Sequence, residues 1–246
     1  MIDLHCHILP ALDDGSPDAR TSLLMAEMAA DSGTGQIVCT PHCNADDPGL
    51  AARARRIRRA AGLMNEILAR QRVELRLFPG MEVLCTPGLD RALQSGQLLT
   101  LADSRYLLIE FDFDASAGYM ADCLQAVQDH GLVPVLAHPE RYFTIQEDPG
   151  PIADWFDGGC VIQVNKGSVL GRFGPGPERT VRWILDRGLA HLVASDAHGT
   201  RSRTTVLSEV RSVLARTWSP AYAEVLLLRN PRRIVMNREL LAPDEI

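Results

Sequence analysis

Short apolar runs alternate with segments of helical periodicity along this chain. Residues 18–32 place Leu24 and Met28 at helical spacing, and glycines follow the segment. Residues 36–40 then form a short apolar run that ends at Pro41. Seven strands are predicted, at residues 2–4, 36–40, 73–78, 106–111, 133–137, 161–164 and 191–195. Helices are predicted at residues 18–32, 50–70, 117–130, 151–157, 178–187, 203–217 and 220–228, with a small helix and loop in 86–103.

This alternation predicts an α/β fold in which a parallel sheet is covered by helices. Candidate polar residues fall at the carboxyl end of almost every predicted strand. That distribution is typical of the catalytic rim of a closed barrel, whereas an open sheet concentrates such residues at one switch point. Because no linker and no repeat of fixed period interrupts the pattern, we expect one domain over residues 1–246.

Composition narrows the class of protein further. The chain has 246 residues, a hydrophobic content of 46% and a formal net charge of −6. This hydrophobic content argues against disorder, and the negative charge argues against a general affinity for nucleic acid or anionic membranes. No apolar run approaches the ~20 residues that span a bilayer, and the first residues lack the pattern of a signal peptide. We therefore expect a cytoplasmic protein with no nucleic-acid partner and no membrane insertion.

The first predicted strand runs into the sequence His5-Cys6-His7. Side chains two residues apart on a strand leave the same face, so these two imidazoles lie side by side. Imidazole suits Zn, Fe and Mn-type ions, and the pair is half of a transition-metal site or, taken alone, two incidental polar residues. Support comes from further candidate ligands near the ends of the strands, namely Asp14, His42, Glu82, Glu110, His138, Asp196 and His198.

The positions of these residues taken together favour a metal site over a chance occurrence of polar residues at strand ends. Five of the seven histidines lie at such positions, and His130 and His191 are expected to be surface or structural residues. Four carboxylates in one small space repel one another unless cations are present, and bound divalent ions are the simple resolution. Nine ligands are enough for three ions, and three divalent ions leave a net positive charge that suits a phosphate dianion.

These residues carry a family resemblance. His5-x-His7, Thr40-Pro41-His42, Ala137-His138-Pro139-Glu140-Arg141 and Ser195-Asp196-x-His198 resemble the polymerase-and-histidinol-phosphatase (PHP) superfamily. More narrowly, Asp13-Asp14-Gly15, Gln163-Val164-Asn165-x-Gly167-Ser168 and Gly171-x-Phe173-Gly174 resemble bacterial metal-dependent protein-tyrosine phosphatases encoded with capsule and exopolysaccharide genes. The resemblance runs from Met1 to about Asn237. It implies the PHP fold, a distorted (β/α)7 TIM-like barrel, with three metal ions at the rim.

The resemblance also implies how the ligands divide. The first ion takes His5, His7, Glu82 and Asp196; the second takes Glu82, Glu110 and His138; the third takes Asp14, His42 and His198. Members of the family are often manganese-dependent, and iron and zinc also occur. Arg141 and an arginine after the Asp-x-His motif are expected to clamp the phosphate, and spacing favours Arg203 over Arg201 for that role.

The expected activity is hydrolysis of phosphotyrosine by a metal-activated hydroxide. The expected substrate is a tyrosine-phosphorylated protein, in particular a tyrosine autokinase of polysaccharide export. Two alternatives stay open, a small-molecule phosphomonoesterase such as histidinol phosphatase and a non-catalytic PHP binding domain. A cysteine phosphatase is disfavoured, because only Cys85 has the Cys-x5-Arg spacing and its loop is a poor phosphate cradle.

Two basic features have more than one interpretation. Lys166 either adds charge near the phosphate or is a loop lysine, and the second is favoured. The arginine-rich run 53–59 is either a solvated helix face or a contact for an acidic neighbour, such as a kinase or another subunit. The resemblance favours some homo-oligomer.

Overall fold

A computed structural model describes residues 1–241 of the chain. Its strands are parallel and alternate with helices, as the sequence predicts. Helices connect most of them on the outside, which is the arrangement that parallel pairing requires. The strands are β1 (Ile2–Cys6), β2 (Gln36–Cys39), β3 (His42–Asn44), β4 (Arg76–Pro79), β5 (Glu82–Leu84), β6 (Tyr106–Glu110), β7 (Val133–Ala137), β8 (Val161–Asn165) and β9 (Leu192–Ala194).

The strands fill seven positions around a distorted barrel. One sheet has the order β1-β2-β4 and the other the order β3-β5-β6-β7-β8-β9. Two short strands were not predicted: β3 follows β2 after Thr40-Pro41, and β5 follows β4 after Gly80-Met81, so that each pair fills one position of the barrel. A parallel bridge between Cys6 and Ala197 joins the first strand to the segment after the last one. The expected distorted (β/α)7 barrel is therefore confirmed.

Two apolar clusters stabilise this barrel. The inner cluster contains Leu4 of β1, Leu108 of β6 and Val135 of β7, and it is closed by Leu101 and Ile234. The outer cluster lies between the strands and the helices. The alternation of side chains along each strand supplies both clusters.

The helices cover the outside of the strands. Several differ from the prediction only at their ends. The α-helices are α1 (Ala19–Asp31), α2 (Leu50–Gln71), α3 (Leu89–Ser95), α4 (Ala117–Asp129), α5 (Phe143–Glu147), α6 (Pro151–Asp157), α7 (Lys166–Val169), α8 (Pro175–Asp186), α9 (Ser208–Thr217), α10 (Pro220–Glu224) and α11 (Asn230–Val235). A π-helical turn at Val225–Arg229 connects α10 to α11. Within residues 1–241, none of these helices has both the length and the apolarity to cross a bilayer.

Two boundaries were predicted wrongly. The strand expected from residue 73 begins at Arg76, because the backbone at Leu75 turns and its N–H bonds the carbonyl of Val73. The helix expected from residue 203 begins at Ser208. The intervening residues form a loop, which the Thr205 hydroxyl ties to the carbonyl of Met25 at 2.7 Å.

Candidate metal centre

All nine candidate ligands meet at the carboxyl ends of the strands. Glu82, fully buried at the start of β5, lies between four imidazoles. Its Oε1 is 3.0 Å from Nε2 of His5 and 3.0 Å from Nε2 of His138. Its Oε2 is 3.1 Å from Nε2 of His7 and 3.1 Å from Nδ1 of His42. One carboxylate oxygen between two imidazole nitrogens is the arrangement expected of a bridging ligand.

The two histidines of β1 are oriented by partners on their far side. Nδ1 of His5 lies 2.9 Å from Oε1 of Gln163, and Nδ1 of His7 lies 2.7 Å from Oδ2 of Asp13. Both partners are acceptors, so each Nδ1 carries the proton that it donates. The two Nε2 atoms converge to 3.2 Å with lone pairs available for a cation. Metal-ligating histidines are held in this way, by an acceptor on the nitrogen that does not bind.

The other ligands surround this pair. Nδ1 of His42 lies 2.8 Å from Oε1 of Glu110, and Nε2 of His198 lies 3.4 Å from Oδ1 of Asp14. Asp14 is the open end of the cluster, since 68% of its side chain is exposed. Asp196 lies at the opposite, buried side, with Oδ1 3.6 Å from Nε2 of His5.

Four overlapping groups of these ligand atoms are each compact enough to hold an ion. Within every group the atoms lie within 4.8 Å of one another. The groups are His7, Asp14, His42 and His198; His5, His7 and Asp196; His5, Glu82 and His138; and His42, Glu82 and Glu110. The set expected for the third ion lies within one group, which also includes His7. Glu110 and His138, expected to share the second ion, both neighbour Glu82 but fall in different groups.

Two buried atoms of the cluster test whether these residues fit metal ions. Among residues 1–241, neither Oε2 of Glu82 nor Nε2 of His198 makes a hydrogen bond, because the two imidazole nitrogens 3.1 Å from Oε2 do not approach it with hydrogen-bond geometry. A buried polar atom without a partner costs about 1–3 kcal/mol. Oxygen and imidazole nitrogen are both ligands of Mn, Fe and Zn. The donor set and its unsatisfied atoms therefore fit a site for divalent ions.

Burial and charge act in opposite directions on the imidazoles. Burial lowers the pKa of His5, but the carboxylates of Glu82 and Asp196 outweigh it and raise that pKa to about 9. The same balance acts on His42, where burial is outweighed by the adjacent carboxylates of Glu110 and Glu82, which raise the pKa to about 11. Without metal, protons therefore supply part of the positive charge that these carboxylates require.

The pKa values of Glu82 and His198, in contrast, are lowered. Burial raises the pKa of Glu82, but the surrounding imidazoles, His5 first, bring it well below its usual value. Burial, together with the positive charges of His7 and Arg203, lowers the pKa of His198 to about 4. His198 is therefore neutral and able to bind a cation at neutral pH.

Local backbone irregularities place several of these side chains. Pairing between β1 and β2 shifts register between Asp3 and Cys6, so that Leu4 packs in the inner cluster while His5 reaches the site. His138 and Asp196 have positive φ angles of 35° and 49°. Non-glycine residues rarely adopt this conformation, and such strain is concentrated at functional sites.

Gly15 permits the close approach of the Asp13-Asp14-Gly15 loop to β1. A Cβ at this position would lie 2.2 Å from the carbonyl oxygen of His7. The Ser16 N–H bonds that same carbonyl at 3.0 Å. The glycine thus allows Asp13 and Asp14 to face the imidazoles.

Both predicted clamp arginines lie at the site. Nη1 of Arg141 is 3.2 Å from Oδ2 of Asp196, and Arg203 pairs with Oδ1 of the same carboxylate. The Arg141 guanidinium is held between two aromatic rings, with its carbon 4.8 Å from the centroids of both Phe113 and Phe173. Arg201 lines a neighbouring cavity and makes no ion pair among residues 1–241.

Several residues that support the site were missed or misjudged from sequence. Arg53, expected on a solvated helix face, donates to the carbonyls of Leu12 and His42. Lys166, expected in a loop, is only 2% exposed, and its Nζ donates to the carbonyls of Thr204 and Val206. The interpretation was wrong for Lys166 and, within the run 53–59, for Arg53 alone, since Arg55, Arg56 and Arg59 are exposed as expected. Each of the two misjudged side chains reaches a distant segment, and sequence spacing carries no signal for such contacts.

Asp13 and Asn165 were noticed only as parts of motifs. Asp13 accepts a hydrogen bond from the backbone N–H of His42 at 3.1 Å, in addition to its bond to His7. Nδ2 of Asn165 donates to Oδ2 of Asp196 at 2.6 Å. Each therefore orients candidate ligands. A polar residue next to a ligand motif was the signal that could have found them.

The cysteines take no part in the site. All six are buried and free, as expected for reduced thiols. Burial raises the pKa of Cys85 well above its usual value, so its thiol is protonated at neutral pH. A nucleophilic cysteine requires a thiolate, and this finding disfavours the cysteine-phosphatase mechanism.

Fold and site together are those of a metal-dependent hydrolase built on an α/β barrel. A model of the family described as "Capsular polysaccharide synthesis, CpsB/CapC" matches residues 1–236, and the chain belongs to this family. This confirms the relationship that the sequence motifs indicated.

Two relatives match the chain along nearly its whole length. Tyrosine-protein phosphatase YwqE of Bacillus subtilis (strain 168) is 34% identical over 98% of this chain and 93% of its own length. Tyrosine-protein phosphatase CpsB of Streptococcus pneumoniae is 29% identical over 97% of this chain and 99% of its own. A solved structure from work on these two proteins, described there as unique metal-dependent tyrosine phosphatases, superposes with a TM-score of 0.90 at 34% identity, covering 99% of this chain and 98% of the other.

Proposed function

We propose that this protein is a metal-dependent protein-tyrosine phosphatase that holds three divalent ions, in the first place Mn²⁺. Its nine metal ligands are His5, His7, Asp14, His42, Glu82, Glu110, His138, Asp196 and His198. The observation that carries the proposal is the convergence of five imidazoles and four carboxylates on one barrel rim. The names of the relatives, tyrosine-protein phosphatases YwqE and CpsB, supply the substrate class. The whole chain, residues 1–246, acts as one domain.

Bound divalent ions lower the pKa of water toward about 7 and so supply a nucleophile at neutral pH. The chain itself contributes the phosphate clamp. Arg141 and Arg203 present planar guanidinium donors that match phosphoryl oxygens. Because Phe113 and Phe173 enclose the Arg141 guanidinium, little side-chain freedom is lost when phosphate binds.

The leaving group explains why few further residues are needed. A tyrosyl oxygen has a pKa of about 10 and leaves more readily than an alkoxide. A strong general acid is therefore not obligatory.

The partner proposed is a tyrosine-phosphorylated protein of capsular polysaccharide synthesis, in particular a tyrosine autokinase. The family description supports this process. The proposal includes a cytoplasmic location and a homo-oligomer. Arg55 and Arg56 are both exposed on α2 without ion pairs among residues 1–241, and they offer charge for either neighbour. Light scattering of a variant with both charges reversed tests the oligomer.

One experiment tests the activity. Protein purified without chelators is assayed for metal content and for phosphate release from a phosphotyrosine peptide and from histidinol phosphate. We expect about three divalent ions per chain, hydrolysis of the peptide and loss of that activity in EDTA with recovery on Mn²⁺. Hydrolysis of histidinol phosphate alone would identify a small-molecule phosphatase. A metal-loaded protein inert toward both substrates would contradict the assignment as an enzyme.

A further inference from the structure

A cavity of about 450 Å³ lies beside the metal centre and belongs to none of its ligands. Arg203 and Asn165 line this cavity, and both side chains also bond the carboxylate of Asp196. Phe173 also lines the cavity, and its ring contacts the guanidinium of Arg141. A polypeptide whose phosphate is held by the two clamp arginines therefore has its neighbouring residues within reach of this cavity.

The cavity carries more positive than negative charge. Its lining includes Lys166, Arg172, Arg201 and Arg203. Three of these are already engaged: Lys166 with the carbonyls of Thr204 and Val206, Arg172 with Glu209, and Arg203 with Asp196. Arg201 is exposed and forms no ion pair with any residue in the described range 1–241. Arg201 is thus the one of these four cationic side chains whose donors make no hydrogen bond or ion pair within residues 1–241 and are left for a ligand.

The walls of the cavity are fixed by packing. Lys166 donates to two carbonyls of the loop that follows Arg203, so a buried side chain anchors the segment that carries Arg201. Phe173 forms the apolar wall against Gly167, where an added Cβ would lie 2.4 Å from the Phe173 ring. Only glycine at position 167 lets the ring take this place. Neither wall includes a candidate metal ligand.

We propose that this cavity binds a carboxylate side chain of the substrate polypeptide, an aspartate or glutamate within a few residues of the phosphotyrosine. The inference rests on the proposed phosphatase function and names a preference of the same site. A single carboxylate matches the one unengaged guanidinium of the cavity, that of Arg201, and the Phe173 ring contacts its methylene groups. Arg201 is thus a specificity-determining residue, and Arg203 is the phosphate clamp.

The test uses three phosphotyrosine peptides that differ only at the residues flanking the tyrosine, which are Glu, Gln or Lys. The metal-loaded full-length protein is assayed for kcat and KM on each peptide. We expect the Glu peptide to exceed the Gln peptide about fivefold in kcat/KM, as befits a partly exposed ion pair, and the Lys peptide to be the poorest. The difference falls in KM, not in kcat, and shrinks as salt is raised toward 0.5 M.

Two variants and one control assign the effect to the cavity. Arg201→Gln removes the charge, and Ser202→Glu places a competing carboxylate on the same loop. In both variants, the ratio of kcat/KM for the Glu peptide to kcat/KM for the Gln peptide falls to about one. Arg70→Gln removes an exposed charge from the last turn of α2, at the end of this helix away from the site, and keeps the wild-type ratio of kcat/KM. Because Arg201 and Ser202 are exposed, both variants are expected to fold.

A binding measurement separates this inference from the proposed function. Fluorescence anisotropy with labelled, unphosphorylated Glu and Gln peptides reports affinity whether or not hydrolysis occurs. Tighter binding of the Glu peptide that depends on Arg201 supports the inference, even if no phosphotyrosine peptide is hydrolysed. Equal kcat/KM and equal affinity for the Glu and Gln peptides overturn it, while hydrolysis of both would leave the phosphatase function standing.

Discussion

The two ends of this barrel bury the same kind of side chain with opposite results. At the carboxyl end, carboxylates surround His5 and raise its pKa to about 9. At the amino end, His191 stacks on Phe156 with ring centroids 4.5 Å apart, and its Nδ1 accepts the N–H of Ile162 at 3.0 Å. Burial without a carboxylate lowers the pKa of His191 to about 4. Burial alone does not decide the charge of an imidazole; its neighbours do.

The largest expected effect comes from replacing Glu82, the central carboxylate of the rim. Glu82→Gln keeps the shape but removes the charge that lies between four imidazoles. We expect phosphotyrosine hydrolysis to fall about 10³-fold, equivalent to roughly 4 kcal/mol, and metal content to drop. Activity assays and elemental analysis measure both.

Glu140→Gln is the matched control. Glu140 is also fully buried at this end, but it accepts from the N–H of Asn165 and the hydroxyl of Ser168 and lies in none of the candidate ligand groups. We expect this variant to keep its metal. If both variants lost metal equally, the central role assigned to Glu82 would be wrong.

The next effect is on the stability of the metal-free protein. The pKa of His5 is about 9 when folded against 6.5 ordinarily. A raised pKa contributes stability that is complete below pH 6.5 and is lost as pH rises through 9. We expect the free energy of unfolding, from urea titrations, to fall by about 3 kcal/mol across this window. Metal-loaded protein is the control, and its free energy of unfolding should change less between these pH values. If the free energy of unfolding of the metal-free protein did not change with pH, the electrostatic account of the rim would be wrong.

A smaller effect is expected from the residue that orients His7. Asp13→Asn retains an acceptor for Nδ1 of His7 but removes the carboxylate charge. We expect metal affinity to weaken about 10- to 100-fold, as for other partners that orient metal-ligating histidines. Competition with a chromophoric chelator measures this, and Asp18→Asn, at the N-terminal cap of α1, controls for loss of one negative charge. Unchanged affinity would make Asp13 merely structural.

The smallest effect lies at the amino end and has the opposite sign. The lowered pKa of His191 makes its neutral form the stable one in the fold, so stability is complete above pH 6.5 and is lost as pH falls toward 4. His191→Asn retains an acceptor for the Ile162 N–H but cannot titrate. We expect the free energy of unfolding of this variant to fall by about 1 kcal/mol less than that of wild type between pH 7 and pH 5.5. If variant and wild type lost the same stability as pH falls, protonation of His191 would not contribute to the acid sensitivity of the fold.

The contrast between the two ends also explains what sequence could predict. Strand ends collect the ligands of a barrel, so His5, Glu110 and His138 could be placed on one rim without coordinates. The five histidines at the rim were separated correctly from His130 and His191, because only the former follow predicted strands.

The remaining features depend on contacts between distant parts of the chain. The register shift in β1, the positive φ of Asp196 and the reach of Lys166 are set by segments far away in sequence. Arg53 was misjudged for the same reason, since its partners Leu12 and His42 lie outside its helix. Local patterns specify which side chains face the rim, and tertiary packing specifies how each is held.

The bridge between Cys6 and Ala197 has a consequence for biosynthesis. It brings His5 and His7, made among the first residues, against Asp196 and His198, made some 190 positions later. Contacts of such long separation form late and slowly. A nascent chain still on the ribosome therefore carries seven of the nine candidate ligands before Asp196 and His198 are made, and the full candidate set can assemble only after translation has passed the final strand.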